Sequence, residues 1–282
     1  MKLVRFGNVG KEQPGIIDKS GAVRSLASVV SDIDGVAVSP EGLAKLAALD
    51  LSSLPLAPQG ARIGPCVGRV GKLVGIGLNY SDHAAEAGLP VPTEPIVFLK
   101  ATSSISGPYD PVEIPADAVK TDWEVELAFV IGTRAKNVSE ADALKHVAGY
   151  CILNDVSERA WQIERQGQWT KGKSHDTFSP MGPWLVTSDE IADSGNLGMR
   201  LEVNNVSRQN GSTKTMIFGV AHLVSYLSRF MTLHPGDVVT TGTPPGVGLG
   251  MKPQLYLKVG DVMRLEIDGL GHQKQTVVLE RA

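Results

Sequence analysis

Two glutamates, Glu124 and Glu126, alternate with apolar residues in the segment WEVELAFV. Successive side chains of a β-strand point to opposite faces, so both carboxylates share one face. That face continues with Ala128 and Val130, which predicts that it is partly buried. Two buried carboxylates whose backbone positions are about 7 Å apart repel each other and lose hydration, so either their pKa values rise or a cation lies between them. The hard divalent ions Mg²⁺ and Mn²⁺ suit such oxygens, whereas a strand with a solvated face is the alternative.

Asp155 is the candidate for a third carboxylate ligand. It follows the apolar segment YCILN and precedes a predicted short helix that Ser157 would cap. The alternative is an ordinary turn or capping residue. Three carboxylates together would hold a metal ion and leave positions open for water and substrate, as a catalytic site requires. The cysteines Cys66 and Cys151 and the histidines lack zinc-ligand spacing.

His83 and Glu86 lie three residues apart in the segment SDHAAEAG. On a helical turn this spacing places both side chains on one face. A carboxylate next to an imidazole raises its basicity and fixes its tautomer, so the pair can take a proton from water. The alternative is a solvated pair on a surface turn.

Lys171 and Lys173 lie among glycine and serine in the segment QWTKGKSHDTFSPMGPW. Most lysines are solvated, but one held near an anionic substrate would stabilise developing negative charge. Residues 241–248, TGTPPGVG, have no lysine in P-loop spacing and do not form a phosphate loop. Their glycines can still bring backbone N–H groups close to a ligand carboxylate.

Short strands and helices must position these residues. Predicted strands outnumber predicted helices and do not alternate with long helices, which favours a mixed, β-rich α+β domain over a doubly wound or (β/α)₈ fold. Ser81 and Ser139 are predicted helix caps. The main segments are the strands KLVGIGLNY, PIVFLK, DWEVELAFVIG and YCILNDV, the helices SEADALKHVAGY and MIFGVAHLVSYLSRFM, and a closing hairpin around Asp268–Gly269.

The amino-terminal part differs in sequence pattern from the rest of the chain. Short apolar runs separated by Gly, Asn and Asp predict small strands, and Ser39–Pro40 predicts the start of a short helix. The stretch 57–71 is rich in Gly, Pro and Arg and is typical of a linker. We therefore predict a small module at residues 1–65 and a catalytic domain at residues 71–282.

Composition excludes several classes of protein. The 282 residues include 27 Lys+Arg and 30 Asp+Glu, a net charge of −3, with no basic excess to neutralise nucleic-acid phosphates. No apolar run approaches the roughly 20 residues of a membrane helix, and the first residues lack the apolar stretch of a secretion signal. These features predict a soluble, cytoplasmic protein with no nucleic-acid or membrane partner.

From about Leu73 onward the chain resembles the fumarylacetoacetate hydrolase family. About three quarters of the chain is covered, and the order of the matching segments is more specific than any one of them. These segments are GLNYSDHAAE, PIVFLK, DWEVELAFVIG, NDVSERAWQ, WTKGKSHDTFSPMGP and GSTKTMIFGVAHLVSYLSRFMTLHPGDVVTTGTPPGVG.

The resemblance implies a rolled mixed β-sandwich, usually a homodimer, with one Mg²⁺ or Mn²⁺ in each subunit. The founding enzyme has a further Asp ligand seven residues before its catalytic His, and Ile76 stands there in this sequence. The chain therefore resembles the smaller, acylpyruvase-like members with three carboxylates. The implied roles are metal binding for Glu124, Glu126 and Asp155, catalysis for His83, Glu86 and Lys173 rather than Lys171, and substrate binding for Gln162 and Thr243.

Within the family, the length and the string KGKSHDTFSPMGPWLVT resemble a group often labelled ureidoglycolate lyase. Some of its members hydrolyse 2,4-diketo-3-deoxy sugar acids derived from L-fuconate and L-rhamnonate. This predicts hydrolysis of such a diketo acid to pyruvate and a hydroxy acid, with water activated by His83 and Glu86. The alternatives are an oxaloacetate decarboxylase, an acylpyruvase, a ureidoglycolate lyase or a metal-stabilised binding protein without activity.

Overall fold

Most secondary structure in this computed structural model, which describes residues 1–280, is β-strand. The strands are short and vary from two to nine residues. In chain order they are β1 (Lys2–Phe6), β2 (Gln13–Ile17), β3 (Val23–Ser25), β4 (Leu73–Gly77), β5 (Ile96–Lys100), β6 (Ile105–Ser106), β7 (Val112–Ile114), β8 (Thr121–Asp122), β9 (Val125–Ile131), β10 (Val147–Asn154), β11 (Ser157–Glu158), β12 (Ser179–Thr187), β13 (Gly198–Val203), β14 (Val206–Ser212), β15 (Val238–Thr240), β16 (Val262–Ile267) and β17 (Gly271–Leu279).

The helices are few and short. Within the described part of the chain, none is long and apolar enough to span a membrane. The α-helices are α1 (Pro40–Ala47), α2 (Ser81–Ala87), α3 (Glu140–Ala143), α4 (Thr170–Lys173) and α5 (Val220–Phe230). A π-helical turn spans Ala160–Glu164, and 3₁₀ turns span Leu51–Ser53, Thr102–Ser104, Leu144–His146, Ser188–Glu190, Thr213–Thr215 and Gly248–Gly250.

Two sheets form the body of the molecule. The larger has ten strands in the order β3-β2-β1-β12-β10-β9-β15-β4-β5, with β6 pairing along β12. The smaller has five strands in the order β14-β13-β16-β17-β7, and β8 pairs with β11 separately. Parallel and antiparallel pairs occur in both large sheets. The predicted β-rich α+β fold is therefore confirmed.

Strand β9 lies between β10 and β15, and both of its faces are covered. Leu127 and Phe129 point into a core shared with the five-stranded sheet, whereas Ala128 points into a second core on the opposite side. The alternation predicted for this segment is confirmed. Glu124 and Glu126 are only 5% and 2% exposed, so they project from a buried face and not from a solvated one.

The amino-terminal strands extend the large sheet. Strand β1 pairs antiparallel with β12, with Lys2 opposite Val186. Leu3 and Ile16 pack in the same core as Ala128. Residues 1–65 therefore share a sheet and a core with the following part of the chain, and the division into two domains stays a prediction.

Three local predictions differ from the structure. Ser81 is the first residue of α2 and does not cap it, because its hydroxyl donates to the Thr215 carbonyl oxygen. Ser157 lies in β11, where pairing with β8 replaces the predicted helix start. The predicted helix after Ser139 ends early, because Val147–Asn154 pairs with β9 as a strand.

Ser39 caps α1 as predicted, since its hydroxyl accepts a hydrogen bond from the Gly42 amide at 3.1 Å. Replacing Ser39 with alanine should lower the free energy of unfolding by about 1 kcal/mol. Urea unfolding measures this change, and Ser28→Ala, at an exposed serine that caps no helix, is the matched control. An equal loss in both variants would contradict the capping role.

Candidate active site

Three buried carboxylates meet where β9 and β10 pair. Glu124 directly precedes β9, Glu126 lies within it, and Asp155 directly follows β10. The Asp155 amide donates to the Glu124 carbonyl oxygen at 2.9 Å, which extends the antiparallel pairing by one residue. One oxygen from each carboxylate lies within 4.8 Å of the others. We call Glu124, Glu126 and Asp155 the carboxylate cluster.

Lysine and arginine side chains bind the carboxylate cluster. Lys173 Nζ, at the end of α4, donates to Glu124 Oε2 and Asp155 Oδ2, both at 2.6 Å. Lys100 Nζ, at the end of β5, donates to Asp155 Oδ1. Arg159 Nη2 donates to Glu124 Oε1 at 2.6 Å. Of the two lysines in the KGK segment, Lys173 is the one at the cluster; its side chain is buried, and that of Lys171 is exposed.

The three-dimensional arrangement separates the pKa values of the two glutamates. Burial alone would raise the pKa of Glu124, but the charges of Arg159 and Lys173 outweigh burial and hold it well below its usual value. The pKa of Glu126 is raised well above its usual value by burial and by the neighbouring charges of Asp155 and Glu124. Glu126 is therefore the carboxylate that most lacks positive charge.

The donor set fits a hard divalent cation. Its ligand atoms are all carboxylate oxygens, which Mg²⁺ and Mn²⁺ prefer. Glu126 accepts hydrogen bonds only from the Thr240 hydroxyl and, at 2.8 Å, the Gly242 amide among the described residues. Lys100, Arg159 and Lys173 are hydrogen-bonded to three carboxylates, those of Asp122, Glu124 and Asp155, so an ionised Glu126 adds one negative charge that no cationic side chain binds. Glu124, Glu126 and Asp155 are the residues that would hold the ion.

The predicted His–Glu pair forms on α2. His83 Nδ1 lies 3.1 Å from Glu86 Oε2. The Gly246 amide donates to the Glu86 carboxylate at 2.9 and 3.2 Å, so the carboxylate is fixed from the other side. This geometry holds the imidazole ring in a defined orientation and leaves Nε2 for another partner.

A cavity of about 780 Å³ connects the His–Glu pair with the carboxylate cluster. Asp155 is fully buried behind its wall. Ile76, at the position of the missing fourth carboxylate, is an apolar part of the wall. The other predicted site residues that line the cavity are His83, Glu86, Glu124, Glu126, Gln162, Lys173 and Thr243.

Gln162 and Thr243 reach the cavity but already have protein partners. Gln162 Oε1 accepts from Arg159 Nη1 at 3.0 Å. The Thr243 hydroxyl donates to the Val125 carbonyl oxygen at 2.9 Å and accepts from Gln209 Nε2 at 2.8 Å. Their roles in substrate binding stay predictions.

The sequence analysis missed Lys100, Asp122 and Arg159. Asp122 accepts hydrogen bonds from Arg159 Nε at 2.9 Å and from the Gly248 and Leu249 amides at 2.7 and 3.0 Å. A signal for Asp122 was present, since it continues the alternation of Glu124 and Glu126 toward the amino terminus. Lys100 at a strand end and Arg159 beside a turn carry no comparable local signal.

A family model described as the carboxyl-terminal domain of fumarylacetoacetate (FAA) hydrolase matches residues 72–278, more than half of the chain. The chain belongs to the fumarylacetoacetate hydrolase family. The match includes every residue of the carboxylate cluster and the His–Glu pair.

Similar proteins align with nearly the full length of the chain. A Burkholderia ambifaria protein, named as a hydrolase with no substrate given, is 61% identical over 98% of both chains. The structure of a fumarylacetoacetate hydrolase from Exiguobacterium antarcticum superposes with a TM-score of 0.88 at 38% identity, covering 99% of this chain and 100% of that one.

Solved fumarylacetoacetate hydrolase relatives include hydrolases and isomerases. A maleylpyruvate hydrolase from Sphingobium sp. SYK-6, in complex with manganese(II) and pyruvate, has a TM-score of 0.83 at 28% identity and full coverage of both chains. A 5-carboxymethyl-2-hydroxymuconate delta-isomerase from Mycobacterium smegmatis has a TM-score of 0.78 at 32% identity, again with full coverage.

Glu126→Gln should have opposite effects on the stability of the metal-free protein and on its stabilisation by Mn²⁺. The amide is neutral without having to take up a proton next to Asp155 and Glu124, and it still accepts from Gly242, so we expect the metal-free variant to unfold at a higher temperature. It should lose the stabilisation of about 2.7 kcal/mol that Mn²⁺ at a hundred times its Kd gives the parent. Thermal unfolding with and without Mn²⁺ measures both effects.

Glu124→Gln is the matched comparison, because it takes a counter-charge away from Lys173 and Arg159 and should destabilise the metal-free protein. If Glu126→Gln were the more destabilising of the two, the assignment of excess negative charge to Glu126 would be wrong.

Metal affinity should rise with pH. Glu126 keeps its proton above the usual carboxyl range in the metal-free fold, and an ion must displace that proton. The same proton is released by the unfolded chain at lower pH, so the metal-free protein loses stability as pH rises from the ordinary glutamate pKa toward the raised one. Calorimetric Mn²⁺ titrations in buffers of different ionisation enthalpy, between about pH 6 and pH 8, should detect proton release. Absence of release across this interval contradicts the prediction.

Proposed function

We propose that this chain hydrolyses the C3–C4 bond of a 2,4-diketo acid and releases pyruvate. The observation that supports the proposal most directly is the position of the His83–Glu86 pair, which faces the same cavity as the carboxylate cluster. One site thus combines a base for water with acidic ligands for a divalent cation. The relative crystallised with manganese(II) and pyruvate supports the same reaction class.

His83 is the base. As the base, the neutral imidazole donates its Nδ1 proton to Glu86 Oε2, which leaves Nε2 as the proton acceptor. Nε2 takes a proton from a water molecule, and the resulting hydroxide adds to the C4 carbonyl carbon. The Gly246 amide keeps Glu86 in place during this transfer.

Lys173 compensates the charge that develops next. The C3–C4 bond breaks, and its electron pair moves to C3 to give the enolate of pyruvate, which is then protonated at C3. Lys173 borders the cavity with its ammonium group fixed by two carboxylates, so it stabilises the negative charge without reorganising. A divalent ion on the carboxylate cluster would supply Lewis-acid stabilisation of the same charge. The products are pyruvate and the carboxylate of the acyl group, with one water consumed and one proton released.

Two other reactions would use some of the same catalytic groups. Decarboxylation of oxaloacetate also produces the enolate of pyruvate but requires no activated water. Isomerisation, the reaction named for the Mycobacterium smegmatis relative, moves protons and breaks no carbon–carbon bond. The sugar-acid substrate, the homodimer and the cytoplasmic location stay predictions from the sequence.

His83→Ala should lower kcat for diketo acid hydrolysis by about 10²–10⁴-fold, because the base for water is lost. Mn²⁺ binding should persist, since His83 has no hydrogen bond to the carboxylate cluster. Pyruvate release measures the first effect and calorimetry the second. His222→Ala, at a histidine of α5 paired with Glu140, is the matched control.

Two outcomes would change the assignment. Near-parental hydrolysis by His83→Ala would show that another group activates the water. Oxaloacetate decarboxylation that survives in His83→Ala, in a protein with no hydrolysis of any diketo acid, would favour the decarboxylase.

A further inference from the structure

The lining of the cavity has two chemically different parts. The charged part includes Glu124, Glu126 and Lys173, and the other part consists of aliphatic and aromatic side chains. Phe98 and Trp169 form an aromatic pair there, with ring centroids 5.5 Å apart. Lys173 Nζ lies 5.2 Å from the centroid of Phe98, so the aromatic wall begins directly beside the predicted reaction centre.

Strand β4 has the residues that make this wall possible. A Cβ atom on Gly75 would lie 2.2 Å from Phe98 Cζ, and one on Gly77 would lie 2.2 Å from Trp169 Cζ3. The two rings therefore rest directly on the backbone of β4, where no side chain could be added without displacing them. Ile76, between the glycines, also borders the cavity. The apolar wall is thus closely packed against the sheet.

The apolar surface continues to the mouth of the cavity. Leu89, Ile96 and Ile163 line the cavity and are 52%, 37% and 49% exposed. Exposed aliphatic side chains in the lining of a cavity favour an apolar ligand, because covering them removes apolar surface from water.

Several polar side chains that line the cavity are already engaged by protein partners, whereas Gln162 Nε2 has no hydrogen-bond partner among the described residues. Arg159 and Lys173 are paired with carboxylates. The Gln254 amide donates to the Leu249 carbonyl oxygen at 3.2 Å and accepts from the Tyr256 hydroxyl at 2.9 Å. Among the described residues that line the cavity, Lys252 is the remaining cation, and it is exposed at the mouth.

We propose that the acyl group on C4 of the substrate is apolar, an alkyl or aryl chain that packs against Phe98, Trp169 and Ile163. This inference rests on the proposed function and specifies its substrate class. Burial of alkyl carbons on this wall favours binding, whereas hydroxyl groups placed against Phe98, Trp169 and Ile163 would lose hydration without gaining partners. The sugar acid predicted from the sequence is the competing substrate.

A matched panel of diketo acids tests the inference on the intact Mn²⁺-loaded protein. The panel contains 2,4-dioxopentanoate, 2,4-dioxooctanoate, 2,4-dioxooctanedioate and a 2,4-diketo-3-deoxy sugar acid, each scored for pyruvate release. We expect kcat/KM for 2,4-dioxooctanoate to exceed that for the sugar acid and for the diacid by at least about tenfold. A preference for the diacid would instead assign Lys252 as the partner of a second carboxylate and overturn the proposal.

A surface substitution provides a second test that does not endanger folding. Ile163→Asn should lower the ratio of kcat/KM for 2,4-dioxooctanoate to kcat/KM for 2,4-dioxopentanoate, because only the longer chain reaches the mouth. Val206→Asn, at a similarly exposed apolar residue of β14, is the control and should leave that ratio unchanged. An unchanged ratio in Ile163→Asn contradicts the proposed path of the acyl chain.

Failure of this inference differs from failure of the proposed function. Pyruvate released faster from the sugar acid than from 2,4-dioxooctanoate overturns the apolar acyl group and leaves the hydrolase intact. No pyruvate from any diketo acid, with Mn²⁺ bound, overturns both.

Discussion

Mutual repulsion among three buried carboxylates is the constraint on which the rest of the site depends. Glu124, Glu126 and Asp155 converge away from solvent, where like charges are costly. Lys173 bridges two of them, and additional cations complete the pairing around it. Glu126 alone accepts hydrogen bonds only from neutral donors. Burial and the charges of Asp155 and Glu124 therefore raise its pKa. Glu126 thus lacks a cationic hydrogen-bond partner, and a cation bound to the cluster would supply the counter-charge.

A single loop, residues 241–250, connects the acidic groups of the site. The Gly242 amide donates to the cluster, the Gly246 amide to the proposed base pair, and the Gly248 amide to Asp122 behind the arginine. A Cβ atom on Gly248 would lie 2.8 Å from Asp122 Oδ1, and one on Gly246 would lie 2.0 Å from the Arg208 carbonyl oxygen, so glycine is needed at both positions for these backbone N–H groups to serve as donors. The relative placement of the metal ligands and of the His–Glu pair therefore depends on the conformation of one segment.

Local patterns predicted much of the fold and the nature of the ligands. Alternation identified the faces of β9, and spacing identified the pair on α2, because both depend on residues close in sequence. The meeting of Asp155 with Glu124 depends on long-range strand pairing, and here the family resemblance supplied what local pattern could not. Lys100 was missed because a lysine at a strand end looks solvated until the tertiary structure buries it. The apolar wall is dispersed along the chain and has no local signature at all.

The loop of residues 241–250, which donates backbone hydrogen bonds to three acidic groups, also limits which sequence changes the enzyme tolerates. An insertion or deletion within residues 241–250 would shift several amide donors together. Such a change would therefore displace the metal ligands and the His–Glu pair at the same time. The side chains of the rim, Leu89, Ile96 and Ile163, do not hold several site residues in place in this way. Substitution of single rim residues can therefore change which substrates are accepted without moving the amide donors of this loop.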